Sequence, residues 1–81
     1  MNDPSIIKRQ FFSSIKRGTG EAHLIIKNNQ ELDFSNYIIK AALTDYAYNG
    51  QLEGSRALYI SELIALSSER ERIRKAVLEA L

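Results

Sequence analysis

The side chains that could do chemistry in this chain are few and dispersed. His23 is the only histidine, so zinc clusters and triads built on several imidazoles are excluded, and a histidine acid or base would act without a second. Set among Glu21, Ala22, Leu24, Ile25 and Ile26, it reads as an ordinary partly buried or solvated residue of a short amphipathic helix. The chain has no cysteine, which removes thiolate nucleophiles, thiolate metal sites and disulfides together. Its acidic residues lack the clustered spacing of a calcium loop or a carboxylate metal site. Gly18-Thr19-Gly20 has neither the glycine count nor the following Lys-Ser/Thr of a phosphate loop, and reads as a hinge between helices. No catalytic, cofactor-binding or metal-ligating residue is assigned, and no cofactor is expected.

The polar and aromatic cluster Asp45, Tyr46, Tyr48, Asn49, Gln51, Glu53, Arg56 and Tyr59 is a better candidate for a surface that binds. Loops joining rigid helices present binding groups, and Tyr and Arg are enriched at interface hot spots. The candidate interaction surface is Tyr48, Asn49, Glu53 and Arg56, together with Leu78 and Leu81 near the C-terminus. The competing reading is structural: Tyr46 and Tyr59 pack between helices, while Glu53 and Arg56 pair locally or face water.

Nucleic acid is a minority reading. Lys8, Arg9, Lys16 and Arg17 spread over about half of the first helix, and Arg70, Arg72, Arg74 and Lys75 are interleaved with Glu69, Glu71 and Glu79. Mixed charge of this kind makes a solvated, ion-paired face, whereas nucleic-acid binders show an unbroken basic stripe and a strongly basic pI. The net charge is +1, divided as +3 over residues 1–20, −3 over 21–67 and +1 over the remainder.

The elements that hold these residues are helices. At 81 residues, 44% hydrophobic and 26% charged, the chain is one domain or part of one, able to bury about 60–65% of the surface its unfolded form exposes. Asp3-Pro4 starts a first helix over 4–17, with Ile7, Phe11, Phe12 and Ile15 on its core stripe and Ile6 off it. Thr19 is expected to cap a second over 20–29, through Ala22, Leu24, Ile25 and Ile26. The third, over 34–48, is apolar nearly all round, with only Asn36, Lys40 and Thr44 as a polar strip, so it is expected to lie between neighbours. Gly50 suits a left-handed C-cap. A fourth helix over 55–67 presents Ala57, Ile60, Leu63 and Ile64. A fifth over 69–81 puts Ile73, Ala76, Val77, Ala80 and Leu81 on one face and leaves Leu78 outside it.

Ile38 to Leu43 (Ile-Ile-Lys-Ala-Ala-Leu) returns 35 residues later as Ile73 to Leu78 (Ile-Arg-Lys-Ala-Val-Leu). Capping residues follow at the same offset: Asp33 with Asn36, and Ser68 with Glu71 as a capping box. An offset of this length is that of stacked helix pairs, whose usual work is holding a partner. Chance similarity within the small alphabet of helix formers is the competing explanation.

The run Lys16-Arg-Gly-Thr-Gly-Glu-Ala-His-Leu-Ile-Ile, the block Asp33-Phe-Ser-Asn-Tyr-Ile-Ile-Lys-Ala-Ala-Leu and the segment Asp45-Tyr-Ala-Tyr-Asn-Gly-Gln-Leu-Glu-Gly-Ser-Arg-Ala resemble the opening of bacterial HEAT-like, or PBS-lyase-type HEAT, helical-repeat proteins. The resemblance implies an α-solenoid engaged in protein interaction, with no activity that transfers residue by residue. The expectation is an all-α, five-helix right-handed α-α superhelix forming one helical-repeat domain over 1–81, the N-terminal portion of a longer array. A non-catalytic protein-interaction or scaffolding role follows, with a protein partner and self-association through the last helix. A nucleic-acid-binding helical domain and the non-catalytic part of a larger enzyme are the alternatives. Without a signal-like segment or an apolar run of membrane-spanning length, a cytoplasmic protein with no membrane partner is expected.

Overall fold

Asp3 and Asp33 open their helices with the same device. In the computed structural model, which describes residues 3–50 and 54–80 apart from the side chain of Asn49, the helices are α1 (Pro4–Arg17), α2 (Glu21–Asn28), α3 (Ser35–Asn49), α4 (Gly54–Leu66) and α5 (Arg70–Ala80). The chain is all-α with five helices, as the sequence predicts, and no strand occurs among the described residues. Asp3 Oδ1 accepts the Ser5 amide and hydroxyl, each at 2.9 Å. Asp33 Oδ1 accepts the Ser35 amide at 2.9 Å and the Ser35 hydroxyl as well. Each carboxylate satisfies an orphan amide of a first helical turn.

Three capping expectations need correction. Thr19 does not cap α2: the N-cap is Gly20, with no side-chain bond, and Thr19 Oγ1 is buried without a partner among the described residues. The cause lies in the end of α1, where Gly18 at φ 70° donates to the Ile15 carbonyl and the Thr19 amide donates to the Ser14 carbonyl. This Schellman closure ties Thr19 to the helix behind it. Asn36 does not reciprocate with Asp33; its side-chain oxygen accepts from Arg72 of α5 at 3.3 Å. Ser67 rather than Ser68 turns the chain into α5, accepting the Glu69 amide at 3.0 Å, and Glu71 pairs forward with Arg74 at 3.1 Å. Ile38 and Ile73 nonetheless occupy matching places. Each donates its amide to the carbonyl four residues back, at 3.1 and 3.0 Å, and each is fully buried.

The core is drawn from every helix: Phe11 and Ile15 of α1, Ala22 and Ile26 of α2, Phe34 beside α3 with Ile38, Ala41 and Ala42 inside it, Ile60 and Leu63 of α4, and Ile73 of α5. The rings of Phe11 and Phe34 meet at 4.5 Å with a tilt of 41°, an arrangement aromatic pairs favour. Contacts run between neighbours: α1 with α2 and α3, α3 with α4 and α5, and α4 with α2 and α5. Neither α1 nor α2 packs on α5 among the described residues.

Helix α3 therefore has three neighbours, and its exposed strip begins at Asn36, Lys40 and Thr44 as expected. Enclosure stops at the last turn, where Ala47 is exposed and Tyr48 is 86% exposed. Burial in α5 fades after Val77, so Ala80 is exposed although the helical periodicity sets it with Ile73. Helix α4 begins at Gly54. No helix among the described residues is long and apolar enough to cross a membrane.

Candidate functional site

The residues expected to form one interaction surface fall into two kinds: those turned inward and those left in water. Arg56 is turned inward. From the first turn of α4 its Nε donates to Asp45 Oδ2 of α3 at 2.8 Å, and its Nη1 donates to the Ile15 carbonyl of α1 at 3.0 Å. Its guanidinium also stands over the Tyr59 ring, 5.5 Å from the centroid. Three helices converge here because α3 offers a carboxylate that needs a cation, and the Ile15 carbonyl, which already accepts the Gly18 amide, has a second lone pair for Arg56. Gly18 lies against the clamp, where a Cβ would make an ordinary contact of 3.6 Å with Arg56 Nη1, so glycine is favoured here by its positive φ and not by lack of space.

Tyr59 completes this corner. Its hydroxyl donates to the Thr19 carbonyl, and its ring meets His23 edge-on at 4.9 Å. Burial pushes the Tyr59 phenol above its ordinary value, with the nearby carboxylates of Glu21 and Glu62 adding to the shift and the Arg56 cation opposing it. His23 Nε2 is buried and lacks a hydrogen-bond partner among the described residues; Glu62 Oε2 lies 3.9 Å away. Gly20, His23, Leu24 and Lys27 of the α2 side and Glu62, Ala65 and Leu66 of α4 line a shallow groove of about 470 Å³. It holds one imidazole and one carboxylate, with the phenol already committed elsewhere. Among the described residues no group of three or more His, Asp or Glu could hold a metal ion.

A second clamp joins α5 to the start of α3. Arg72 Nη2 donates to Asp33 Oδ2 at 3.3 Å, to Asn36 Oδ1 at 3.3 Å and to the Ser35 hydroxyl oxygen. The Ser35 hydroxyl and amide hold the Asp33 carboxyl below its ordinary value; burial opposes them, and the Arg72 cation adds a lesser lowering. At the start of α1 the Ser5 amide and hydroxyl lower the Asp3 carboxyl in the same way.

Of the outward residues, Tyr48 is 86% and Leu78 is 70% exposed. Leu58 at 64% and Leu24 at 60% join them. Sequence reasoning missed Leu58, whose signal is available: it lies on the side of α4 away from Ile60 and Leu63 at helical spacing. Asn49 is placed in the last turn of α3 by its backbone, while its side chain, Glu53 and Leu81 lie outside the described residues. Tyr48 and Arg56 both border a groove between α1, α3 and α4. Leu78 belongs to α5 and does not border this groove. No family model, curated protein or solved structure matches the chain.

Proposed function

We propose that this chain is a non-catalytic helical-repeat module of HEAT-like, right-handed α-α superhelical type, whose work is to hold another protein. The observation that carries the reading is the pattern of helix pairing: α3 packs on both α1 and α5, α2 packs on α4, and neither α1 nor α2 packs on α5 among the described residues, while Arg56 of α4 reaches across to the end of α1. Stacks of this kind bury a continuous core and leave extended outer surfaces for partners. Tyr48 and Leu78 are large side chains left in water on that outer surface, and exposed apolar groups of this size mark contact sites when they are grouped by a partner. Self-association is a second reading, favoured by the exposure of both Leu58 and Leu78 on the consecutive helices α4 and α5.

Site-specific photo-crosslinking in the source cell tests the proposal. A benzophenone residue at position 48 or 78 is expected to give discrete protein adducts, while one at exposed Ser61 of α4 gives few. Absence of protein adducts from both positions, or turnover of a substrate by the isolated chain, would overturn it.

A further inference from the structure

Lys16 belongs to α1 and Lys40 to α3, yet both ammonium nitrogens stand over the same ring. They lie 5.2 and 5.0 Å from the centroid of Phe12, within the range in which an aromatic face attracts a cation. The Tyr37 ring packs on Phe12 at 5.3 Å with a tilt of 42°, fixing the platform from the α3 side. Lys8 precedes Phe12 by four residues, as Phe12 precedes Lys16, so the three follow one side of α1. Among the described residues no carboxylate pairs with Lys8, Lys16 or Lys40. Asp45, the acid nearest in the adjoining groove, is taken by Arg56 at 2.8 Å.

Two like charges drawn to one ring repel each other, and an anion bridging them relieves that repulsion while gaining charge-assisted hydrogen bonds. The adjoining groove, about 540 Å³, has Phe12 and Tyr48 in its wall, with Ile15 and Ala41 buried beneath it. The Phe12 and Tyr48 rings offer an aromatic seat beside a basic one.

We infer that Lys16 and Lys40, with the adjoining groove, bind an acidic peptide segment of a partner protein, its carboxylates on the two lysines and an intervening apolar side chain against the part of Phe12 left open between them. The inference rests on the protein-holding reading and names the partner's chemistry. A peptide fits better than a nucleic acid for two reasons. Arg17 and Arg56, which also line the groove, are paired with Glu21 and Asp45, which leaves three lysines where a phosphate backbone needs a track of cations. The groove itself carries the Asp45 carboxylate, which favours an intermittent acidic segment over continuous negative charge.

Fluorescence anisotropy with the full chain and a labelled Glu-Glu-Leu repeat peptide tests this, alongside a Lys-Lys-Leu repeat and labelled oligo-dT over a salt series. The acidic peptide is expected to bind saturably and to weaken with added salt. Lys16→Ala/Lys40→Ala should weaken it about tenfold or more, while Lys75→Ala on α5 leaves it within about twofold. Neither substitution removes a buried group, so unchanged melting curves should accompany both. No binding, equal weakening by Lys75→Ala, or tighter binding of oligo-dT at the same salt would each overturn the inference, the last assigning the patch to nucleic acid. Protein adducts at position 48 or 78 with a silent acidic peptide would remove this inference and leave the protein-holding reading standing.

Discussion

Arg56 and Asp45 meet at 2.8 Å across the α3–α4 hairpin, and the same guanidinium reaches the Ile15 carbonyl at 3.0 Å. Arg56→Ala leaves a half-buried carboxylate without its cation and takes one of two donors from the Ile15 carbonyl, which keeps the Gly18 amide, a loss of about 1–3 kcal/mol, or a melting temperature lower by roughly 4–8 °C per kcal/mol for a domain of this size. Lysine cannot reproduce a fork that makes both bonds, so Arg56→Lys should recover little. A double-mutant cycle with Asp45→Asn should give a coupling of about 0.5 kcal/mol or more. Melting of Arg56→Ala within a degree of the parent would show that the clamp contributes nothing.

Gly18 and Gly20 stand two residues apart and should respond to alanine in opposite directions. Gly18 sits at φ 70°, where a Cβ is strained and would lie 3.6 Å from Arg56 Nη1; Gly18→Ala should cost about 1–2 kcal/mol. Gly20 sits at φ −67° with nothing within 4 Å of a built Cβ. Gly20→Ala should be neutral or stabilise by up to about 1 kcal/mol through the unfolded chain. Urea titration of both variants checks the sign of each.

The division of these predictions between local and long-range causes matches what could be read along the chain. The five helices were legible because Asp3-Pro4, Gly18 and Gly50 punctuate the sequence and because Phe11, Ile15, Ile38, Ile60, Leu63 and Ile73 recur at helical spacing. The capping partners were not: whether Thr19 faces α2 or completes the Schellman closure of α1 depends on a three-residue link, and sequence pattern offers both. Arg72 reaches Asp33, Ser35 and Asn36 across 36–39 residues, and Lys40 joins Lys16 over Phe12 from another helix. Such meetings depend on which helices lie side by side, and periodicity within one helix does not encode that. For the same reason the sequence does not tell that Arg56 is engaged by Asp45 and the Ile15 carbonyl while Tyr48, on the same groove, stands in water.

Asp33 gives the molecule an acid limit. Its folded-state carboxyl lies below its ordinary value, chiefly through the Ser35 hydroxyl and amide. A depressed carboxylate contributes stability that is present above the unfolded value, about pH 4, and is lost as pH falls through the folded one. Asp33→Asn should therefore flatten the loss of stability below about pH 4. Arg72→Ala should flatten it less, because the Ser35 bonds remain. Equilibrium unfolding at pH 2.5–5 compares the slopes; identical slopes for parent and Asp33→Asn would refute the assignment.

Tyr59 sets the corresponding alkaline limit. Burial raises its phenol above 10.0, and a raised group contributes stability that is fully present below the unfolded value and is lost as pH climbs through the folded one. The stability difference between parent and Tyr59→Phe should be about 1 kcal/mol near neutrality, from the bond to the Thr19 carbonyl, and should shrink above pH 10. Ultraviolet titration of the phenolate in parent and variant measures the same group directly. A difference that stays constant through this range would mean that Tyr59 does not titrate on unfolding.

Leu58 and Leu78 lie ten residues to either side of position 68, in the turn between α4 and α5. The two helices pack on each other, with Leu58 eight residues before the end of α4 and Leu78 eight residues after the start of α5. Each is more than three-fifths exposed. If copies of the chain associate through this side, the apolar area gained at each leucine is worth about 1.5–3 kcal/mol when fully covered, so Leu78→Glu should shift the association constant by at least about tenfold and Leu58→Glu by a comparable amount. Both positions are solvent-facing, and their substitution should leave the melting temperature of the dilute protein within about 2 °C. Static light scattering over a concentration series reads the mass directly. A parent that stays monomeric at every concentration removes self-association and leaves these leucines to another protein, whose crosslinks at position 78 then carry the case alone.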